Sequence, residues 1–255
     1  MDLLQAFILG VVEGVTEFLP ISSTGHLILA SHLLGLPQSD FVKTFEIAIQ
    51  LGAIGAVLAL YWRQFLDIEI LKRLAVGFMP TAVIGLLLYP FIKAHLVGNQ
   101  QVVLWALALG GAVLILFELF HKERPAKEGE VEQVGYLQAL GVGLFQALAV
   151  IPGVSRSAAT IVGGLLLGLR RHTIVEFSFL LAVPTMAAAT GLDVLKNYQS
   201  FTTAHIAPLA VGYVTAFVVA LLSITWLLRM IKHHTFIPFG VYRILVALLF
   251  WFLVL

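Results

Sequence analysis

The chain has 255 residues, 60% of them hydrophobic and 11% charged, with a mean hydropathy of +1.00. Soluble domains carry about 25% charged residues, so this chain cannot cover a water-facing surface and reads as a polytopic membrane protein. A formal net charge of +1 gives no bulk reason to bind nucleic acid or another polyanion, and the lack of cysteine excludes disulfides and thiolate metal sites.

The N-terminus, "MDLLQAFILG", lacks a basic n-region and a small-residue cleavage site, so it does not read as a cleaved signal peptide. The first apolar stretch, about 3–34, is interrupted by "LPISSTGH". Three continuous apolar segments follow at roughly 41–62, 74–92 and 101–120, each near the ~20 residues a helical span needs. The breaks between them, "RQFLDIEILKR" and "KAHLVGNQ", are polar. The mixed-charge run 121–132 reads as a solvated loop. A second interrupted stretch, about 136–169, breaks at "IPGVSRS", and three more spans are expected at 173–195, 206–230 and 237–255.

The pieces on either side of each interruption are mostly too short to cross alone, so both stretches are predicted to be re-entrant helical hairpins. Charge tests this. With both stretches re-entrant, Arg63, Lys72, Arg73, Lys122, Arg124, Lys127, Arg170, Arg171, Arg229 and Lys232 fall on one side, against Lys43, Lys93 and Lys196 on the other. The positive-inside rule then puts the first set in the cytoplasm and both termini outside. A full span at either stretch would move the later loops to the other side and weaken the bias.

The interrupted stretches also resemble each other. Leu4, Gln5, Ala6, Gly10 and Glu13 align with Leu137, Gln138, Ala139, Gly143 and Gln146 at an offset of 133. One deleted residue then aligns Pro20 with Pro152, Ser23 with Ser155 and Phe45 with Phe177 at 132. The expected fold is therefore an all-α polytopic membrane protein with an inverted-topology repeat. Each half is one re-entrant hairpin plus three transmembrane helices, about 1–120 and 136–255, joined by a cytoplasmic linker 121–135 in a single membrane domain. Such repeats place their sites near the midplane, at broken helices.

Glu13 and Glu17 are four residues apart and share a helix face. Each carboxylate costs on the order of 3 kcal/mol at the centre of a membrane helix, so the pair needs a divalent cation, a basic residue or water. Pro20 ends the first half-helix. Ser22, Ser23 and Thr24 are N-cap types for the next, whose free N–H groups suit an anion, and His26 lies just inside it. "PGVSRSAAT" at 152–160 repeats the design: Pro152-Gly153 breaks the chain, Ser155 or Ser157 caps, and Arg156 projects near the helix start. Arg156 reads as the one basic residue deep in the membrane domain, and its planar fork suits phosphate or carboxylate, or an ion pair with Glu13 or Glu17.

Other polar residues fit lesser roles. Glu46 and Gln50, again four apart, are either structural or close to the site. Glu118, Asp193 and Arg243 read as interfacial, and Glu176 as a local partner of Arg170, Arg171 or His172. Two half-helix N-termini, an arginine, hydroxyls, a histidine and two carboxylates together suit phosphoryl transfer to or from a lipid, with Mg²⁺ or Ca²⁺ on oxygen ligands. A transporter or flippase of a lipid phosphate or other anion is the alternative from another class, because inverted repeats and broken helices are its architecture.

The segments "EGVTEFLPISSTGH" at 13–26, "IQLGAI" at 49–54, "PGVSRSAAT" at 152–160 and "EFSFLLAVP" at 176–184 closely resemble the undecaprenyl-pyrophosphate phosphatase (bacitracin-resistance) family, and the resemblance runs essentially end to end. It implies hydrolysis of the isoprenoid pyrophosphate to the monophosphate carrier used for peptidoglycan precursors. It also implies a divalent-cation requirement, a bacterial plasma-membrane location and an outward-facing site. By position, Glu13 and Glu17 match the acidic motif, Ser23 and His26 the catalytic serine and histidine, and Ser155 and Arg156 the phosphate-binding motif. Glu13, Glu17, Ser23, His26 and Arg156 are thus the expected catalytic residues, with Glu13 and Glu17 on the metal. Ser22, Thr24, Gln50, Ser155, Ser157 and Thr160 are the expected substrate contacts. The nucleophile is Ser23, with His26 or a glutamate as base, or His26 itself. One departure stands out: Ala158 replaces the family's usual glycine, and its methyl is expected to narrow close approach. The expected partners are the lipid substrate and the bilayer, with a homodimer left open.

Overall fold

The computed structural model describes residues 1–37, 39–96, 99–121, 131–197 and 205–254. Most of the linker 121–135, with Lys122, Arg124 and Lys127, lies outside them, as do the side chains of Lys93, Asp193 and Lys196. Among the described residues all regular structure is helical. In chain order the α-helices are α1 (Leu3–Thr16), α2 (Ser23–Leu33), α3 (Asp40–Leu60), α4 (Ile68–His95), α5 (Gln100–Phe120), α6 (Tyr136–Ala147), α7 (Arg156–Leu166), α8 (Arg171–Asn197), α9 (Ile206–Met230) and α10 (Ile237–Val254).

Five of these, α3, α4, α5, α8 and α9, are long and apolar enough to cross a membrane, and the chain is a multi-pass membrane protein. Their outward faces carry large apolar side chains, such as Leu86 and Leu87 on α4 and Phe120 on α5, that only lipid would cover. The sixth expected span, 237–255, is helical but shorter. At about 1.5 Å per residue, the 18 residues of α10 reach only about 27 Å, against a hydrocarbon core of roughly 30 Å. The start of α4 also differs from the sequence reading. The break expected through residue 73 is helical from Ile68, because Asp67 caps the N–H groups of Glu69 and Ile70, and Glu69 pairs with Lys72 at 2.7 Å.

The interrupted stretches are helical hairpins, α1–α2 and α6–α7, built by the same local rules. The open end of each is latched by a glutamine: Gln5 Nε2 donates to the Leu34 carbonyl (3.4 Å) and Gln138 Nε2 to the Leu167 carbonyl (3.1 Å). The second arm of each ends in a Schellman turn. Gly35 and Gly168, both at positive φ, donate to His32 and Leu165, and the next residues, Leu36 and Leu169, donate to Ser31 and Gly164. At the closed end, Ser22 (φ 72°) and Ser155 (φ 75°) cap α2 and α7 through the N–H groups of Gly25 and Ala158. Every one of these pairs is 133 residues apart. The structural counterpart of Ser155 is therefore Ser22 and not Ser23, and the deleted residue inferred from the prolines is not present inside the hairpin. Prolines at 20 and 152 align by identity but occupy different steps of the two turns.

The hairpins are held by matching neighbours. α1 lies along α9, and α6 lies along α4. The second contact requires glycine, since a Cβ on Gly143 would stand 2.0 Å from the Gly77 carbonyl oxygen. Between the hairpins, α3 packs on α8 and α5 on α10. The core beneath the two turns is aromatic: Phe18 and Phe179, both fully buried, meet edge to face at 5.3 Å.

Candidate active site

The two hairpin turns meet inside the bundle. Ser157 Oγ, in the first turn of α7, donates to the Phe18 carbonyl of the other hairpin at 2.8 Å. The sequence reading gives Ser157 a substrate-facing role; here it is fully buried and its hydroxyl binds protein. Thr160, another expected substrate contact, is also fully buried, with Oγ1 on the Arg156 and Ser157 carbonyls and 2.6 Å from Ser178 Oγ. Both hydroxyls join α7 to its neighbours because the helix buries that face.

Across this junction lies a cavity of about 140 Å³ lined by Glu17, Ser22, Ser23, Thr24, Gln50, Ser155 and Arg156, with Ala149, Ile151, Pro152, Gly153 and Met186. Seven residues singled out by sequence therefore share one wall. Ala158 is not part of it, so its methyl does not narrow the cavity.

The centre is a chain of three side chains from both hairpins. Arg156 Nη2 lies 3.2 Å from Glu17 Oε1, and the Ser23 hydroxyl donates to Glu17 Oε2. Arg156 is fixed further by Nη1 donating to the Ser178 carbonyl at 2.9 Å, and it lies over the Phe18 ring, while its Nε is buried with no partner among the described residues. Glu17 sits at the C-cap of α1 in helical conformation, so its side chain projects from the same face as Glu13 one turn earlier. Glu13 is completely buried, and among the described residues neither of its carboxylate oxygens has a hydrogen-bond partner.

A metal can be tested against that donor set. Among the described residues no group of three or more His, Cys, Asp or Glu side chains could hold an ion. Two carboxylates on one face, one of them with free buried oxygens, still fit a hard cation whose remaining ligands are water and phosphate oxygens, the usual arrangement for Mg²⁺.

His26 stands apart from the cavity wall. Its Nδ1 is 2.8 Å from the Ser22 carbonyl, and its Nε2 is 3.0 Å from the Tyr242 hydroxyl. A carbonyl only accepts, so Nδ1 carries the proton and Nε2 of the neutral ring accepts from Tyr242, whose ring is parallel to the imidazole at 5.5 Å. Ser23 therefore uses Glu17 and not His26 as its hydrogen-bond acceptor. Beside the polar cavity, and sharing Gln50, Ala149 and Arg156 with it, is a larger cavity of about 650 Å³, mostly apolar and lined by α4 and α8 residues such as Phe78, Leu86, Ala188 and Leu192.

Arg243 is the main correction to the sequence reading. It is not interfacial, and Arg156 is not the one deep cation. Arg243 has no exposed surface and donates to five carbonyls: Leu107 and Ala106 of α5, Pro20 of the first turn, and Gly153 and Val154 of the second (2.9–3.3 Å). Its position two turns into the short α10 lets a long side chain reach the broken backbone. The sequence signal was the opposite need: turns at membrane depth leave carbonyls that require donors. Tyr242 was missed for a similar reason, as a tyrosine on an apolar helix reads as belt or core. Elsewhere, Glu118 is buried and paired with Arg171 (2.5 Å), while Glu176 takes His172 (3.3 Å) and the Tyr61 hydroxyl (3.2 Å). Glu46 accepts from Ser31 at 2.5 Å.

Comparison with known proteins gives the family. Residues 6–249 match the family described as "Bacitracin resistance protein BacA". An undecaprenyl-diphosphatase of Sulfurihydrogenibium sp. is 52% identical over 251 residues, covering 98% of this chain and 99% of the relative. The undecaprenyl-diphosphatase of Wolinella succinogenes is 52% identical over 253 residues (99% and 98%), and that of Aquifex aeolicus 50% over 247 (96% of each). With a match that takes in both hairpin turns and every residue of the Glu17–Ser23–Arg156 chain, the protein belongs to the bacitracin resistance protein BacA family.

Proposed function

We infer that the protein is an integral membrane undecaprenyl-diphosphatase, which hydrolyses undecaprenyl pyrophosphate to undecaprenyl phosphate and inorganic phosphate. In the cell that activity returns the lipid carrier to peptidoglycan synthesis and confers bacitracin resistance. The observation that carries the reading is the contact of Ser23, Glu17 and Arg156 across the two hairpin turns. It joins a nucleophile, a base and an anion clamp in a polar cavity that adjoins an apolar one. The polar cavity suits the pyrophosphate, and the apolar cavity the first isoprene units.

In the proposed mechanism, Arg156 and the N–H groups at the starts of α2 and α7 hold the pyrophosphate. Ser23 Oγ attacks the terminal phosphorus while Glu17 takes its proton. The anhydride bond breaks and undecaprenyl phosphate leaves. Water then attacks the phosphoserine while Glu17 returns its proton to the departing Ser23 oxygen, and phosphate leaves carrying both protons of the water. A divalent cation on Glu13 and Glu17 would offset the charge of the pyrophosphate. The retained roles of Ser22, Thr24, Gln50 and Ser155 are to line the phosphate cavity. Both nitrogens of His26 are engaged, which favours a supporting role at the α2 N-terminus over nucleophilic attack.

The two hairpins are proposed to be re-entrant and related as an inverted repeat. In support, each α1 and α2 arm is about 21 and 16 Å long, short of the roughly 30 Å core. The common 133-residue spacing and the matched α1–α9 and α6–α4 packing support the repeat. Contacts such as Arg171–Glu118, Glu118–Phe236, Tyr61–Glu176 and Tyr136–Glu69 gather the arginine-rich helix ends at one end of the bundle. Positive-inside bias makes that end cytoplasmic, and the first hairpin then opens from outside.

The test is phosphate release from undecaprenyl pyrophosphate by purified protein in detergent, with Mg²⁺, Ca²⁺ or EDTA, beside Arg156→Ala. Metal-dependent release lost by orders of magnitude in the variant is expected. Well-folded protein that releases no phosphate with any metal would overturn the reading and return the transporter alternative.

A further inference from the structure

We propose that the protein carries a second lipid site, distinct from the phosphatase cavity, that binds the headgroup of an anionic phospholipid at the end of α9. A cavity of about 510 Å³ lies between the last turns of α9 and the start of α10, within the ~300–1,000 Å³ range of small-molecule sites. Trp226, Arg229 and Met230 supply one wall at the three- and four-residue spacing of a single face of α9, and His233 follows in the turn just past its end. Pro238 and Phe239 supply the other.

Charge selects the occupant. The lining has one arginine and two histidines and no carboxylate, and the exposed Lys232 adjoins it. Among the described residues Arg229 and Lys232 make no ion pair. Glu118, the carboxylate that accepts from the Phe236 N–H just before α10, is already engaged by Arg171. The cations therefore face outward, free to meet a phosphate.

The apolar part selects a lipid over a free anion. Trp226, about half exposed, meets Phe239 edge to face at 6.3 Å, giving an aromatic wall one turn below Arg229. That is the profile of a chain entering the headgroup layer: aromatic at the glycerol level and cation at the phosphate. Placement at the cytoplasmic leaflet rests on the orientation proposed above and not on the phosphatase chemistry.

The experiment is native mass spectrometry of delipidated protein offered equal phosphatidylglycerol and phosphatidylcholine. Wild-type protein is expected to retain phosphatidylglycerol preferentially. Arg229→Gln should cut that preference about fivefold, and Arg229→Lys should keep most of it, as about 1 kcal/mol per interfacial cation implies. Arg63→Gln, which removes an exposed cation beside Trp62 on another helix end, is the control. No preference in wild-type protein, no loss in Arg229→Gln, or an equal loss in Arg63→Gln would overturn the site. Phosphate release should be unchanged in all three variants, so a failed phosphatase assay and a failed lipid assay remain separate results.

Discussion

Ser23 donates a hydrogen bond to a carboxylate that an arginine from the other half of the chain holds in place, and on the proposed mechanism that carboxylate takes its proton. Removing the hydroxyl should therefore abolish the bond-forming step and leave binding: Ser23→Ala is expected to lower kcat by at least about 10³-fold with little change in KM, measured by phosphate release. Arg156→Lys keeps a charge but not the fork that spans the Ser178 carbonyl and Glu17. It should lose about 10²-fold, and the assay would show a conservative replacement failing. Tyr242→Phe makes a narrower test. It leaves the stacked ring but strips the hydroxyl from His26 Nε2, so stability should fall by about 1–3 kcal/mol, read by thermal unfolding, with kcat reduced far less than in Ser23→Ala. A nucleophilic His26 would show the reverse order.

At the scale of elements, the apolar runs were legible because a membrane helix advertises itself by length. α3, α5 and α9 fall within two residues of the expected segments, and both hairpins were visible as runs too short to cross. What sequence hid was everything set by backbone geometry at the breaks. Ser22 and Ser23 are equally good caps by type, and only the left-handed φ of Ser22 decides which of them does it. Arg243 was misplaced because hydropathy assigns depth by distance from a span's end, whereas a buried arginine goes where carbonyls are unpaired. Its placement also explains Gly110 of α5, where a Cβ would lie 2.1 Å from Arg243 Nη2. Gly110→Ala should thus cost several kcal/mol, more than the roughly 1–3 of ordinary overpacking, and should reduce activity with it. Gly191→Ala, which meets nothing within 4 Å, should be neutral or slightly stabilising by about 0.5–1 kcal/mol. Paired thermal melts would separate the two.

Over the whole molecule, one polar tie joins three helices at the arginine-rich end. Glu118 of α5 accepts from Arg171 of α8 and from the Phe236 N–H that leads into α10, and the same arginine lies over the Phe236 ring at 4.7 Å. Glu118→Gln keeps the shape and removes the charge, so Arg171 loses its buried carboxylate. A loss of about 3 kcal/mol or more is expected, seen as a lower unfolding midpoint in detergent, with activity per folded molecule retained because the tie is remote from the cavity. Arg171, which holds this end together in three dimensions, is also one of the cations whose one-sided distribution in sequence carries the proposed orientation.

The residue that follows the capping serine is Ser23 in one hairpin and Arg156 in the other. Those two side chains hold a single position in two copies of one motif, and both reach the same carboxylate. On the proposed mechanism the reaction depends on the copies having diverged there: two serines would leave the pyrophosphate without a clamp, and two arginines would leave it without an attacker. Exchanging the pair, Ser23→Arg with Arg156→Ser, keeps the composition of the site unchanged and should still yield a dead protein, because Glu13 has a carboxylate and its counterpart Gln146 has none.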